Sequence, residues 1–331
     1  MRRLCSLLLN LCAFVLIFVP MVRATDTQSI TPGNVYRIMK LRSLAGHTGY
    51  VRDVAFSPDG AHLASSGDDR SVRLWNVTTG EEVHLFRTPG CAAYINSLAF
   101  SPDGGLLASP RGIWDLNSCV LANEFDLEMM HVAFSPGGAL LAVGSILEPV
   151  QLLDTSTWSV VRSFESFKHI DPAADNSFGF EFSPDGTLLA DGTLGAGDVR
   201  VWSVESGLLM QTFSVSRPDT DVHDVSFSPD GQLLAGGGQG LSVCLFRVED
   251  GIIEREFPTG EGTMSLDFSP DGQLLAISCE GVVSLWSIET GRRLRSLRHE
   301  NTVLPVAFSP DGKYLACGVR GGEVAIWGLQ E

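Results

Sequence analysis

The stretch VRDVAFSPDGAHLASSGDDRSVRLW, residues 51–75, holds a phenylalanine followed by Ser-Pro-Asp-Gly, and that five-letter word returns along the whole chain. The key phenylalanines are Phe56, Phe100, Phe134, Phe182, Phe227, Phe268 and Phe308, separated by 34 to 48 residues. Six copies read FSPDG; the third reads FSPGG, with Gly137 where the others carry aspartate. A period of about forty residues marks an array of small sheets, each unable to bury its own faces alone.

The first copy shows what one repeat does. Residues 51–56 alternate apolar and polar side chains, as a strand packed mainly on one face does. Ser57-Pro58-Asp59-Gly60 is a tight turn, in which proline presets its backbone angle and glycine tolerates the conformation that closes it. Residues 63–66, Leu-Ala-Ser-Ser, make a second strand small enough for a neighbouring sheet to approach closely. Gly67-Asp68-Asp69-Arg70 turns the chain into a third strand over 71–75; Thr79-Gly80 turns it again into a fourth over 82–86. Four antiparallel strands joined by tight turns form one blade of a propeller.

Trp75 stands nineteen residues after Phe56, and the corresponding positions hold Trp114, Leu153, Trp202, Phe246, Trp286 and Trp327. Every one is large and apolar, suited to packing between blades. Trp158 is off this register and belongs to a turn or an outer strand. Repeat one carries Gly46-His47, FSPDG, LASSGDD, VRLW and Thr79-Gly80 in order, and with them the chain resembles the WD-repeat β-propeller family from 35 to 331. The resemblance implies a hydrogen-bonded structural tetrad of His47, Ser65, Asp69 and Trp75. Later repeats lack the Gly-His, so a complete tetrad is expected once.

The last repeat ends at Ala325-Ile326-Trp327 and four further residues, too few for a fourth strand. Residues 36–44 read as a strand with no blade of their own. An N-terminal strand that completes the last blade closes the ring and leaves no long exposed edge. The expected architecture is all-β, a seven-bladed β-propeller of four-stranded antiparallel blades over 35–331, preceded by a short linker over 25–34.

Residues 1–24 read as a secretory signal peptide: Arg2 and Arg3, an apolar run over 4–19, Pro20, then Val22-Arg23-Ala24. The alternative is an uncleaved membrane anchor through residues 4–22. Both place the propeller outside the cytoplasm, secreted, periplasmic or surface-tethered. The net charge is −16. Cleavage takes three of the 23 basic residues, Arg2, Arg3 and Arg23, and leaves 20 against 39 acidic, a net charge of −19. Such a surface repels nucleic acid and favours cationic partners. Of five remaining cysteines, Cys91, Cys119, Cys244, Cys279 and Cys317, no spacing matches a metal knuckle or redox pair, and the last three read as apolar filler in strands.

No nucleophile elbow, HExxH, P-loop or strand-led GxGxxG is present. Gly236-Gly237-Gly238-Gln239-Gly240 reads as a turn between strands, not a phosphate cradle. The reading is therefore a non-enzymatic, monomeric scaffold without cofactor or metal. Its partner is a protein or peptide, possibly basic, bound on the face of the inter-blade loops. Six and four residues before the key phenylalanines, the candidate contacts are Tyr50, Arg52, Tyr94, Asn96, Phe178, Asp221 and His223. Asp219, Asp221 and Asp224 with His223, and a second loop over 167–176 with His169, Asp171 and Asp175, form an acidic pair of loops. These keep open a cation-binding extracellular domain, beside an enzyme or small-ligand binder using the central channel.

Overall fold

A computed structural model of the chain describes residues 28–87, 94–125, 131–144, 149–164, 179–193, 195–215, 220–240 and 242–330. Residues 1–27, and with them the expected leader, lie outside the described residues. The chain forms seven four-stranded sheets. Blade one runs through Val51–Phe56, His62–Gly67, Ser71–Asn76 and Glu82–Arg87, each strand antiparallel to the last. Burial follows position in the blade. The second strand is almost wholly buried because neighbouring blades cover both its faces, as in Leu274–Cys279. Outer strands such as Val120–Glu124 alternate between solvent and sheet.

The seventh sheet is ordered Ile38–Ala45, Glu323–Leu329, Tyr314–Val319, Val303–Phe308, so its outer strand comes from the N-terminal end of the chain. Ile38 pairs with Leu329 and Ala45 with Glu323. Strand structure begins at Ile38 and not at residue 36, because Val35–Arg37 forms one 3-10 turn. That turn buries Val35 beside Ile30, Ile38 and Leu297. Leu44, Val324 and Ile326 of blade seven then meet Val51, Leu63 and Trp75 of blade one in a shared apolar cluster. The ring is closed both by strand pairing and by side-chain packing.

The recurring turn explains its own sequence. In blade one Ser57 Oγ donates to Asp59 Oδ1 at 2.6 Å and accepts the His62 amide at 2.9 Å, while the Gly60 amide donates to the Ser57 carbonyl at 2.8 Å. Blade three keeps the Gly138-to-Ser135 bond at 2.8 Å and the Leu140 amide on Ser135 Oγ at 3.0 Å despite Gly137. The aspartate reinforces the turn without being required for it. The turn glycines have φ near +70°, as Gly60 at 69° and Gly104 at 73°. Each lies against the preceding turn's proline: a Cβ on Gly104 would stand 3.7 Å from Pro58 Cδ, one on Gly60 3.8 Å from Pro310 Cδ. Repeated through Gly138, Gly186, Gly231, Gly272 and Gly312, these contacts make a closed circle.

A second left-handed position lies five residues beyond the large third-strand residue. It is Gly80, Gly207, Gly251 or Gly291 in four blades, but Cys119 and Trp158 in blades two and three, with φ of 56° and 57°. Trp158, off register in the sequence, is thus a turn residue whose ring packs on the cluster joining those two blades. Gly236, Gly237 and Gly238 lie inside the strand Leu233–Gly238, not in the turn the sequence suggested. A Cβ on Gly236 would stand 2.4 Å from Val199 Cγ2, so the strand is glycine where blade four packs against it.

Around the channel, first strands are fastened to one another by buried carboxylates. Asp53 accepts the Val54 amide at 2.7 Å and, from blade two, the Leu98 amide at 2.6 Å. Asp224 accepts the Val225 amide at 2.9 Å and the Leu266 amide of blade six at 2.8 Å. Glu181 accepts the Phe227 amide at 2.7 Å, and Asp267 accepts the amide of Phe308. Burial raises Asp53 and Asp267 to about 7, Glu181 to about 8 and Asp224 to about 6, against the opposing pull of the backbone donors.

The folded chain holds protons on the four carboxyls more tightly than the unfolded chain, where such groups titrate near 4. Their stabilisation is complete below that value and is lost as pH rises through 6 to 8. His131, buried and pushed down to about 4, acts oppositely and loses its contribution as pH falls from 6.5 towards 4. Four carboxyls outweigh one histidine, so the melting temperature should already be falling as pH rises above about 5 and should drop by roughly 5–10 °C between pH 6 and 8.5, with Glu181→Gln flattening the alkaline side. A melting temperature that climbs from pH 6 to 8.5 contradicts this. Cys119→Gly relieves left-handed strain and should stabilise by up to about 1 kcal/mol in urea unfolding. Trp158→Gly should destabilise, because it also removes packed ring surface.

Candidate functional site

Repeat one carries a buried polar chain. Trp75 Nε1 donates to Ser65 Oγ at 2.8 Å, Ser65 Oγ meets His47 Nε2 at 2.8 Å, and His47 Nδ1 meets Asp69 Oδ1 at 2.9 Å. Burial holds the His47 pKa below its ordinary value. Asp69 also lies below the usual carboxylate range: burial opposes this, but hydrogen bonds from His47 and Ser71 outweigh it. A neutral imidazole that gives Nδ1–H to an ionised carboxylate and accepts Ser65 at Nε2 satisfies every group. The network fixes the loop over 46–50 against the blade and supplies no nucleophile to solvent.

Two related networks were overlooked in the sequence. At the position of Ser65, blade four has Asp191, which accepts Trp202 Nε1 at 2.6 Å and pairs with Arg200. Blade seven has Cys317, whose Sγ lies 3.4 Å from His299 Nε2, with the His299 and Trp327 rings 5.5 Å apart. His299, Cys317 and Trp327 repeat the offsets of His47, Ser65 and Trp75, so the spacing alone would have found them.

On the loop face, four side chains from three blades stack in alternation. Arg320 of blade seven lies 4.9 Å from the Tyr50 ring centroid, Arg52 lies 5.2 Å from the same ring, and Arg52 lies 4.6 Å from the Tyr94 ring. Arg52 Nε also donates to Asp68 Oδ1 at 2.6 Å, which locks its guanidinium between the two phenol rings. Tyr50 bridges to Arg320 through the backbone, so the stack crosses the junction where the ring closes. Each contact contributes about 0.5–1 kcal/mol at an exposed site. Arg320 comes from a loop at the far end of the chain, so spacing relative to the phenylalanines did not reveal it. Tyr94 keeps 42 % of its surface exposed.

The other sequence candidates are dispersed. Asn96 is half-buried on the segment leading into blade two. Asp221 accepts the Gly195 amide at 2.7 Å and Gln239 Nε2 at 2.6 Å, which ties two loops together. His223 turns inward, with Nδ1 2.9 Å from the Thr263 carbonyl. Asp224, read as part of an exposed acidic loop, is one of the buried carboxylates. Phe178 and the loop over 167–176 lie outside the described residues. Among the described residues Cys119, Cys244, Cys279 and Cys317 form no disulfide, and no group of three or more His, Cys, Asp or Glu side chains is arranged to hold a metal ion.

Ser65→Ala is the sharpest test of the polar chain. It strands the buried Trp75 N–H and the His47 acceptor and should cost about 2–4 kcal/mol. The check is the urea midpoint. Loss below about 0.5 kcal/mol would mean that the network contributes nothing to the fold.

Sequence comparison agrees with this architecture. The model of the WD domain, G-beta repeat, matches residues 39–76, 80–110, 207–247, 255–287 and 291–328, together more than half of the chain. The chain is 27 % identical over 310 residues to apoptotic protease-activating factor 1 of Rattus norvegicus, covering 90 % of this chain and 23 % of that protein. It is 26 % identical over 161 residues to human pre-mRNA-processing factor 17, 45 % of this chain and 26 % of that protein. Over 46 residues it is 56 % identical to the small ribosomal subunit protein RACK1z of Arabidopsis thaliana, 14 % of each. The chain thus spans about a quarter or less of these relatives' lengths. Seven four-stranded blades, the repeated turn and the matched repeats place the chain in the WD40 family of G-beta-repeat propellers.

Proposed function

We propose that this chain is a non-catalytic scaffold that binds a protein or peptide on the face of its inter-blade loops. The observation that carries the reading is the Arg320–Tyr50–Arg52–Tyr94 stack. It presents arginine and tyrosine, the residue types that dominate binding energy at interfaces, already ordered before a partner arrives. Membership of a family whose relatives include a protein named as part of the ribosomal subunit supports a role in assembly. The order of Arg2, Arg3, the apolar run and Pro20 supports placing this scaffold outside the cytoplasm, secreted or held at a membrane surface.

The test uses immobilised full-length chain to capture partners from an extracytoplasmic extract, beside a Tyr94→Ala/Arg320→Ala double variant. Both positions are solvent-exposed and lie outside the Arg52–Asp68 clasp. The expected result is a saturable protein partner retained at least about tenfold less well by the variant, with melting temperatures within about 2 °C of each other. Equal retention by both proteins contradicts the reading.

A further inference from the structure

On the opposite face, where the Ser-Pro-Asp-Gly turns lie, a cavity of about 580 Å³ opens between blades one and two. The corresponding groove between blades four and five is about 360 Å³ and is lined by turn residues and Leu188. The larger cavity differs because side chains beyond the turns enter it. Val83 and His84 come from the outer strand of blade one, and Leu116 and Cys119 from the last turn of blade two. Its volume falls within the range of small-molecule sites.

Two features give the cavity a chemistry. One is apolar: Leu74 and Leu116 flank Phe100, which is half-buried, as Phe56 and Phe134 are at the same register. The other is anionic. Asp59 and Asp103 each use Oδ1 for the turn, accepting a serine hydroxyl at 2.6 Å and a backbone amide at 3.0 Å. Both aspartates are exposed to solvent. The serine hydroxyls hold both carboxyls below the usual range, so both are ionised at neutral pH.

We propose that this cavity binds an amphipathic organic cation, its apolar body against Phe100, Leu74 and Leu116 and its ammonium group at Asp59 and Asp103. A half-buried aromatic residue beside two ionised carboxylates favours a cation over a neutral ligand and rejects an anion. The same chemistry comes from a free amine or from a lysine side chain. The site lies on the face opposite the arginine–tyrosine stack, so it stands whether or not that stack binds a protein.

The experiment titrates the full-length chain with 2-phenylethylammonium, Nα-acetyl-lysinamide and 3-phenylpropionate, followed by saturation-transfer NMR. The expected result is saturable binding of at least one amine at about 0.1–5 mM, and none of the carboxylate. Tighter binding of the free amine points to a small molecule, and tighter binding of the lysine derivative points to a side chain; either supports the site. Asp59→Asn/Asp103→Asn should weaken amine binding at least tenfold. These amides keep an oxygen for the turn, and blade three folds its turn with Gly137 in the aspartate position, so the variant remains folded. Phe100→Leu, which retains apolar bulk, should weaken binding of the aromatic amine more than of the lysine derivative. Equal binding of amine and carboxylate, no saturation by 10 mM, or unchanged affinity in the double aspartate variant overturns the proposal.

Discussion

No blade of this protein can bury both faces by itself, so the structure depends on the last sheet meeting the first. The N-terminal strand supplies that meeting through its pairing with Glu323–Leu329, and Ile30, Val35 and Ile38 carry the core of blades six and seven across it. Val51 and Trp75 continue the packing into blade one. The turn circle works under the same restriction. Each proline needs a glycine beside it in the next blade, and a circle has no last member to leave unpaired. A side chain at those glycines would strain a left-handed backbone.

Once closed, the ring tolerates unusual polar groups. Among the described residues only blade one builds the full His–Ser–Trp–Asp chain; blade four answers with an aspartate and arginine, and blade seven with a thiol and imidazole. The buried carboxylates near the channel replace apolar contact with directed hydrogen bonds to the next blade's backbone. They cost desolvation energy but set the angle between first strands, which apolar packing alone leaves adjustable. Rigidity so obtained suits a platform: the loop face keeps its arginines and tyrosines ordered, and the turn face keeps an open groove between blades one and two.

Much of this was legible in the sequence, for a physical reason. Strand period, turn chemistry and the missing last strand are local or counting arguments, and the strands of blade one fall within about a residue of where they were expected. The acidic residues were harder. Asp224 and Asp53 look like solvated side chains because a charged residue is ordinarily exposed. Only the angle between neighbouring first strands shows that their oxygens meet backbone donors across a blade junction. Arg320 joined the site through ring closure, which brings residues 270 positions apart into contact and leaves no trace in local pattern. The glycine run was misplaced because glycine marks close backbone approach in a strand as readily as a turn.

One closed ring, sealed by the N-terminal strand, underlies both faces. Native-state hydrogen exchange tests it directly. If the ring is the cooperative unit, slow-exchanging amides of Ile38–Ala45 and Glu323–Leu329 should open with the same free energy as those of Leu233–Gly238 on the far side. Exchange of the N-terminal strand at a much lower free energy, with the other blades still protected, would contradict the account by showing that the seal is incidental to the fold.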